Sequence, residues 1–122
     1  MITLSYIKSK QDELKSIIKQ YKIDNIALFN HLIGKYYQLE EYHIVRIDSI
    51  NGVEDDMCYA NCYSVYLNVD MKNIELCIRK DVTEGMFPHN SSKEITKEQF
   101  IDKMNEFIGR FNEMTSYHLK NI

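Results

Sequence analysis

Three thiols, Cys58, Cys62 and Cys77, are the side chains of this 122-residue chain most suited to soft-metal binding or nucleophilic chemistry. Their spacing argues against a shared metal. Cys58 and Cys62 lie within Cys58-Tyr59-Ala60-Asn61-Cys62-Tyr63-Ser64-Val65-Tyr66-Leu67-Asn68-Val69, whose two-residue alternation predicts a long strand. Four strand positions separate the two sulfurs by roughly 13 Å. With Cys77 opposite Tyr66, the third thiol again stands four positions from Cys62. A zinc ion needs each sulfur at about 2.3 Å, and a disulfide needs adjacent Cβ atoms. The three thiols are therefore expected to act as small packing residues. No histidine or basic residue is adjacent in sequence to activate one as a nucleophile.

Carboxylates are the stronger signal. Asp48, Glu54, Asp55 and Asp56 gather around an expected first hairpin, and Asp81 and Glu84 should fall at the same end of the sheet. Such a cluster can hold a hard cation or steer a basic protein by long-range attraction. No EF-hand spacing is present, which leaves steering. Tyr59 and Tyr63 lie beside the cluster, and tyrosine joins apolar area to a hydroxyl, as interfaces require. The expected partner-binding set is thus Asp48, Glu54, Asp55, Asp56, Tyr59, Tyr63, Asp81 and Glu84. His31, His43, His89 and His118 are scattered, with no second ligand at helical spacing. There is no nucleophile elbow, phosphate loop, dinucleotide fingerprint or zinc pattern, so no catalytic residue, metal or cofactor is assigned.

The elements that would position these groups follow from hydrophobic periodicity. Ser9 with Asp12 resembles a capping box before a first helix bearing Leu14, Ile17, Ile18 and Tyr21. Asp24 is the expected cap of a second helix with Ile26, Leu28, Phe29, Leu32, Ile33 and Tyr36 on its apolar side. From His43 the period becomes two. Ile44 to Ile50 reads as a strand, Asn51-Gly52 as a tight hairpin turn, and the long strand follows to Val69. Pairing Ile50 with Val53 would set Asp48 against Asp55 and Ile44 against Tyr59. Asp70-Met71-Lys72-Asn73 is the next turn and Ile74 to Val82 the third strand. Matching the apolar faces sets Val69 against Ile74, Leu67 against Leu76 and Val65 against Ile78.

Residues 83–95 read as a loop holding the only proline, with Met86-Phe87 on it. Thr96 with Gln99 then forms a capping box for a last helix bearing Phe100, Met104, Phe107, Ile108, Phe111 and Met114. The expected fold is one α+β domain over residues 1–122: two N-terminal helices, a three-stranded antiparallel meander and a C-terminal amphipathic helix. The last helix should cover Val65, Leu67, Val69, Ile74, Leu76 and Ile78. The opposite face, with Val45, Ile47, Ala60, Cys62, Tyr66 and Cys77, needs either the first two helices or a second subunit.

Composition narrows the functional classes. The net charge is −3 at pH 7, and the excess acid lies in residues 43–92. No lysine or arginine stripe offers the counterion release that nucleic acid requires. No segment is long and apolar enough to span a bilayer, and Met1 to Lys8 lacks the pattern of a signal peptide. An odd cysteine count fits a reducing compartment, so a cytoplasmic location is expected. Twelve lysines against three arginines, with abundant Ile, Asn and Tyr, fit an AT-rich genome of a bacterium or phage. The leading expectation is a non-catalytic interaction protein of inhibitor, immunity or adaptor type, binding a protein partner, basic in character, through its acidic surface. The alternatives are a small-ligand domain or enzyme with a tyrosine-lined pocket under the 83–95 loop, using Glu84 or His89, and a homodimer joined through the face bearing the cysteines.

Overall fold

The structure is a computed structural model that describes residues 1–54, 57–70, 73–87 and 92–120. One long helix, α1 (Leu4–Leu28), replaces the two helices expected at the N-terminus. It starts before Ser9, because the Thr3 hydroxyl accepts the Tyr6 N–H at 3.2 Å and caps the first turn. Asp24 caps nothing. It sits inside the helix, where its carboxylate accepts from the Gln20 side-chain amide one turn earlier at 2.9 Å. The chain then makes a single 3-10 turn, Asn30–Leu32, and Gly34 adopts a left-handed φ of 86° that a side chain would resist. That turn converts the rest of the expected second helix into strand β1 (Tyr36–Glu40). The Tyr-Tyr-Gln-Leu-Glu run suits a pleated, half-buried surface, and pairing on both sides overrides its helical spacing.

The sheet has five antiparallel strands rather than three, in the order β4-β3-β2-β1-β5. Besides β1 it contains β2 (His43–Glu54), β3 (Met57–Val69), β4 (Ile74–Phe87) and β5 (Lys93–Ile95). Asn51-Gly52 is not the turn. β2 runs through it, with Gly52 opposite Tyr59 and Glu54 opposite Met57, so Ile44 meets Val65 rather than Tyr59. Irregularities after Ile47 and Ile50 absorb the extra residues. The register between β3 and β4 is the one the apolar faces require: Val69 with Ile74, Leu67 with Leu76, Val65 with Ile78. Residues 83–87, read as loop from the sequence, extend β4, while Pro88 and His89 lie outside the described residues.

Two apolar layers hold the sheet. On one face Ile44, Val65, Leu67 and Ile95 pack against Phe100 and Phe107 of α2 (Lys97–Lys120). The Thr96–Gln99 capping box opens that helix as expected, with reciprocal bonds of 2.9 and 3.1 Å. Of the face α2 was expected to cover, Val69 and Ile78 remain exposed. On the other face Tyr37, Leu39, Val45, Ile47, Cys58, Ala60 and Cys62 are sealed by Leu32 and Phe29, from the 3-10 turn and the end of α1.

Asp81 has a φ of 57°, in the irregular stretch where β4 slips between the Cys62–Val82 and Ser64–Arg79 pairs. A left-handed L-residue costs about 1 kcal/mol, an expense that glycine avoids. Asp81→Gly is expected to raise the urea midpoint by an amount equivalent to at most about 0.5 kcal/mol, because glycine's extra freedom in the unfolded chain offsets part of the relief, without changing the slope of the transition. A lower midpoint would show that the Asp81 side chain stabilises this kink.

Candidate functional site

Of the eight residues expected to bind a partner, the six that are described lie in several places on the sheet. Asp48 is exposed and held by its neighbour Arg46, whose guanidinium donates to the two carboxylate oxygens at 2.6 and 3.3 Å. Tyr63 lies on the α2 side. The Arg46 guanidinium stands 5.1 Å from its ring centre and the Phe100 ring 6.4 Å away, so Tyr63 supports the core. Asp81 is exposed at the kink in β4. Asp55 and Asp56 lie outside the described residues. Only Glu54 and Tyr59 are brought together: the Tyr59 hydroxyl donates to the Glu54 carboxylate at 2.5 Å. That bond and the adjacent negative charge raise the Tyr59 pKa. The Tyr59 ring lies so close to the Gly85 backbone that a methyl at Gly85 would stand 2.8 Å from it.

Glu84 belongs to a different cluster, on the part of the sheet that Phe29 and Leu32 do not reach. Here Glu40, His43, Ser64, Tyr66, Glu75, Cys77, Arg79, Val82 and Glu84 floor an open depression of about 470 Å³. His43 Nε2 lies 2.9 Å from the Ser64 hydroxyl and 3.5 Å from the Glu84 carboxylate. Serine, histidine and glutamate suggest a hydrolytic triad, but the connectivity differs. In a triad the acid addresses Nδ1 while Nε2 takes the serine proton. Here both partners address Nε2, so the carboxylate does not orient the imidazole for that transfer. The contact instead satisfies Ser64, a buried hydroxyl whose unpaired state would cost about 1–3 kcal/mol. Sequence reasoning missed this cluster because His43 and Ser64 meet only through the β2–β3 register.

Cys58 and Cys62 pack in the core, while Cys77 is half-buried beside the open depression. Cys58 and Cys62 are buried, all three are free, and no group of metal ligands forms among the described residues. Burial, with the nearby Glu84 and Asp48 charges, pushes the Cys62 pKa up to about 12. Cys77 is also raised, chiefly because its thiol donates to Glu75 at 3.1 Å.

Most of α1 is left uncovered. No residue of this 25-residue helix is buried among the described residues. Several of its apolar side chains nevertheless form a stripe: Leu4, Ile7, Leu14, Ile18, Tyr21 and Leu28 recur at alternating spacings of three and four, interrupted by Gln11 and Asn25, with Tyr6, Ile23 and Ile26 off it. Ile17 widens it. Leu14 is 56% exposed, Ile17 58% and Tyr21 68%, values of a surface rather than a core. The helix has no acidic residue in its first turn and no basic residue in its last, so nothing offsets its macrodipole. Only its end meets the sheet. Tyr21, Lys22, Asn25 and Ile26 face Asn51, Gly52, Val53, Glu54 and Tyr59 across a cleft of about 530 Å³. The sequence did show Leu14, Ile17, Ile18 and Tyr21 as one face, and the continuation of the heptad back to Leu4 was the signal for a seam. No family model, curated protein or solved structure matches this chain.

Two outcomes follow for the thiols. The folded Cys62 pKa lies above that of an unfolded thiol, near 9, so this group favours the folded state below pH 9. As pH rises from about 9 toward 12, the unfolded chain loses the proton first and stability falls. Urea midpoints should therefore drop across that range, and less steeply in Cys62→Ala than in the wild type. Glu75→Gln removes the group that holds the Cys77 proton, lowers that pKa, and should speed labelling of Cys77 by a thiol reagent at pH 8 several-fold. An unchanged labelling rate would mean that Glu75 does not restrain the thiol.

Proposed function

We propose that this protein is a non-catalytic interaction module that engages a protein partner through α1. The observation that carries the reading is the exposed apolar stripe on a long helix that meets the sheet only at its end. Most helical stability in proteins comes from packing an amphipathic face, and isolated helices are marginal in water. Leu4 to Tyr21 presents such a face with nothing on it among the described residues. Burying one leucine or isoleucine side chain is worth about 1.5–3 kcal/mol, so a partner covering five of them gains enough to order the helix.

The acidic hairpin end bounds this surface. Glu54 and Tyr59 stand across the cleft from Tyr21 and Lys22, where the stripe reaches the sheet. A segment lying along α1 would end against them. The Ser64–His43–Glu84 cluster supports a structural role, since its geometry lacks the relay that catalysis by serine needs.

The test compares the full chain with a Leu14→Glu/Ile18→Glu variant. Both positions are exposed, so circular dichroism and the urea midpoint should change little. Cross-linking in the source cells followed by purification should give a stoichiometric complex for the wild type, cross-linked through α1, and the uncomplexed protein for the variant. Recovery of the wild type alone, as a monomer, would overturn the reading.

A further inference from the structure

From the charges beside the α1 stripe, and resting on the reading of α1 as an interface, we infer that the partner segment is an amphipathic helix whose apolar seam is flanked by acidic residues. The three-and-four spacing of Leu4, Ile7, Gln11, Leu14, Ile18, Tyr21, Asn25 and Leu28 places these residues at the two core positions of a heptad. The positions beside such a seam set partner choice, because they meet the flanks of the opposite helix. One flank of α1 carries Lys8, Lys15 and Lys22, one heptad apart in a single column, with Asp12 and Lys19 in the row beside it. Among the described residues no carboxylate pairs with Lys8, Lys15 or Lys22. The other flank, Lys10, Ile17 and Asp24, is mixed.

This pattern disfavours a second copy of α1 on the seam. A parallel pair would set Lys10 against Lys15 of the second copy, twice by symmetry. An antiparallel pair with the full seam aligned would set Lys15 against its own equivalent and Lys8 against Lys22 of the second copy. Only Lys10 with Asp24 would then attract. An opposing helix with glutamate or aspartate flanks meets Lys8 and Lys15 favourably, while Lys22 lies at the cleft with Glu54, and like charges reject competitors. Gln11, polar within the seam, restricts the register in which it can lie.

The first four turns, Leu4 to Ile18, offer about 21–22 Å of helix, which a partner of two heptads spans. Beyond them the cleft at Tyr21, Glu54 and Tyr59 closes the groove. A body carrying the chain's acidic excess behind a lysine-flanked arm also repels an acidic helix from everywhere except the arm, which adds selectivity of placement.

The experiment titrates the full chain with two synthetic 25-residue helical peptides. Both carry leucine at the seam positions, and they differ only in glutamate or lysine at the flanking positions. At 50 mM NaCl the glutamate peptide is expected to bind at least tenfold more tightly. Raising NaCl to 500 mM should cut that advantage at least threefold, since exposed charges are screened. Lys8→Glu/Lys15→Glu/Lys22→Glu should reverse the preference; the matching glutamine variant should abolish it, and serves if the reversed chain does not fold. Equal binding of the two peptides would overturn the acidic chemistry while leaving α1 an interface. Light scattering showing a dimer that Ile18→Glu dissociates would overturn it in favour of a second copy. Binding of neither peptide to a monomeric chain would overturn both this inference and the reading of α1 on which it rests.

Discussion

The pairing of β2 with β3 is the constraint on which the rest of the molecule depends. Thirteen residues of β3 lie between two long neighbours, and both of its faces enter a core. Val65 and Leu67 look toward α2, while Cys58, Ala60 and Cys62 look toward Phe29 and Leu32. A slip of one residue would exchange these sets and drive Tyr63 and Asn61 into the space that Cys62 and Ala60 fill. The small side chains on one face and larger ones on the other are therefore a register code. Cys58 and Cys62 belong to that code, as close-packing groups whose burial keeps them protonated.

The parts legible in the sequence were those where local pattern and tertiary pairing agree. The β3–β4 register follows from matching apolar residues across a short connection, and the Thr96–Gln99 capping box is complete within four residues. Elsewhere a local signal was outweighed. Asn51-Gly52 has the chemistry of a tight turn, yet β2 continues through it and the irregularities after Ile47 and Ile50 take up the difference. Leu28, Leu32 and Tyr36 keep helical spacing, but Gly34 turns the chain, and Tyr36 finds partners in Arg46 on one side and Ile95 on the other. No single-residue pattern announces β5, three residues long, because its reason for being extended is the free edge of β1.

The candidate site follows the same logic. Its residues were visible as an amphipathic stripe, and a stripe in a small domain ordinarily means a core-facing helix. The face it was expected to cover, Val45, Ile47, Ala60 and Cys62, is sealed instead by Phe29 and Leu32 with Tyr37 and Leu39. The 3-10 turn and Gly34 allow this by folding the chain back within a few residues of the helix end. Once that seal is made, α1 has no apolar surface left to pack on beyond the cleft at its last turns. The sequence pattern of α1 thus reports a helix-packing face, while the packing of the short segment after it determines that the face points outward.

An outward apolar face carries a liability, since it invites non-specific association. The lysines bear on that liability directly. Lys8, Lys15 and Lys22 run beside the stripe along most of its length, and their spacing keeps them in one column rather than spread round the helix. Long lysine stems can lie over apolar neighbours while their charges stay in water, which lowers the effective hydrophobicity of the unoccupied face. The same charges oppose its pairing with itself in either direction. A helix held solely by its own propensity would gain nothing from such ordering of charge beside a seam. On the proposed reading of α1, the same three side chains would serve both solubility before binding and discrimination on binding.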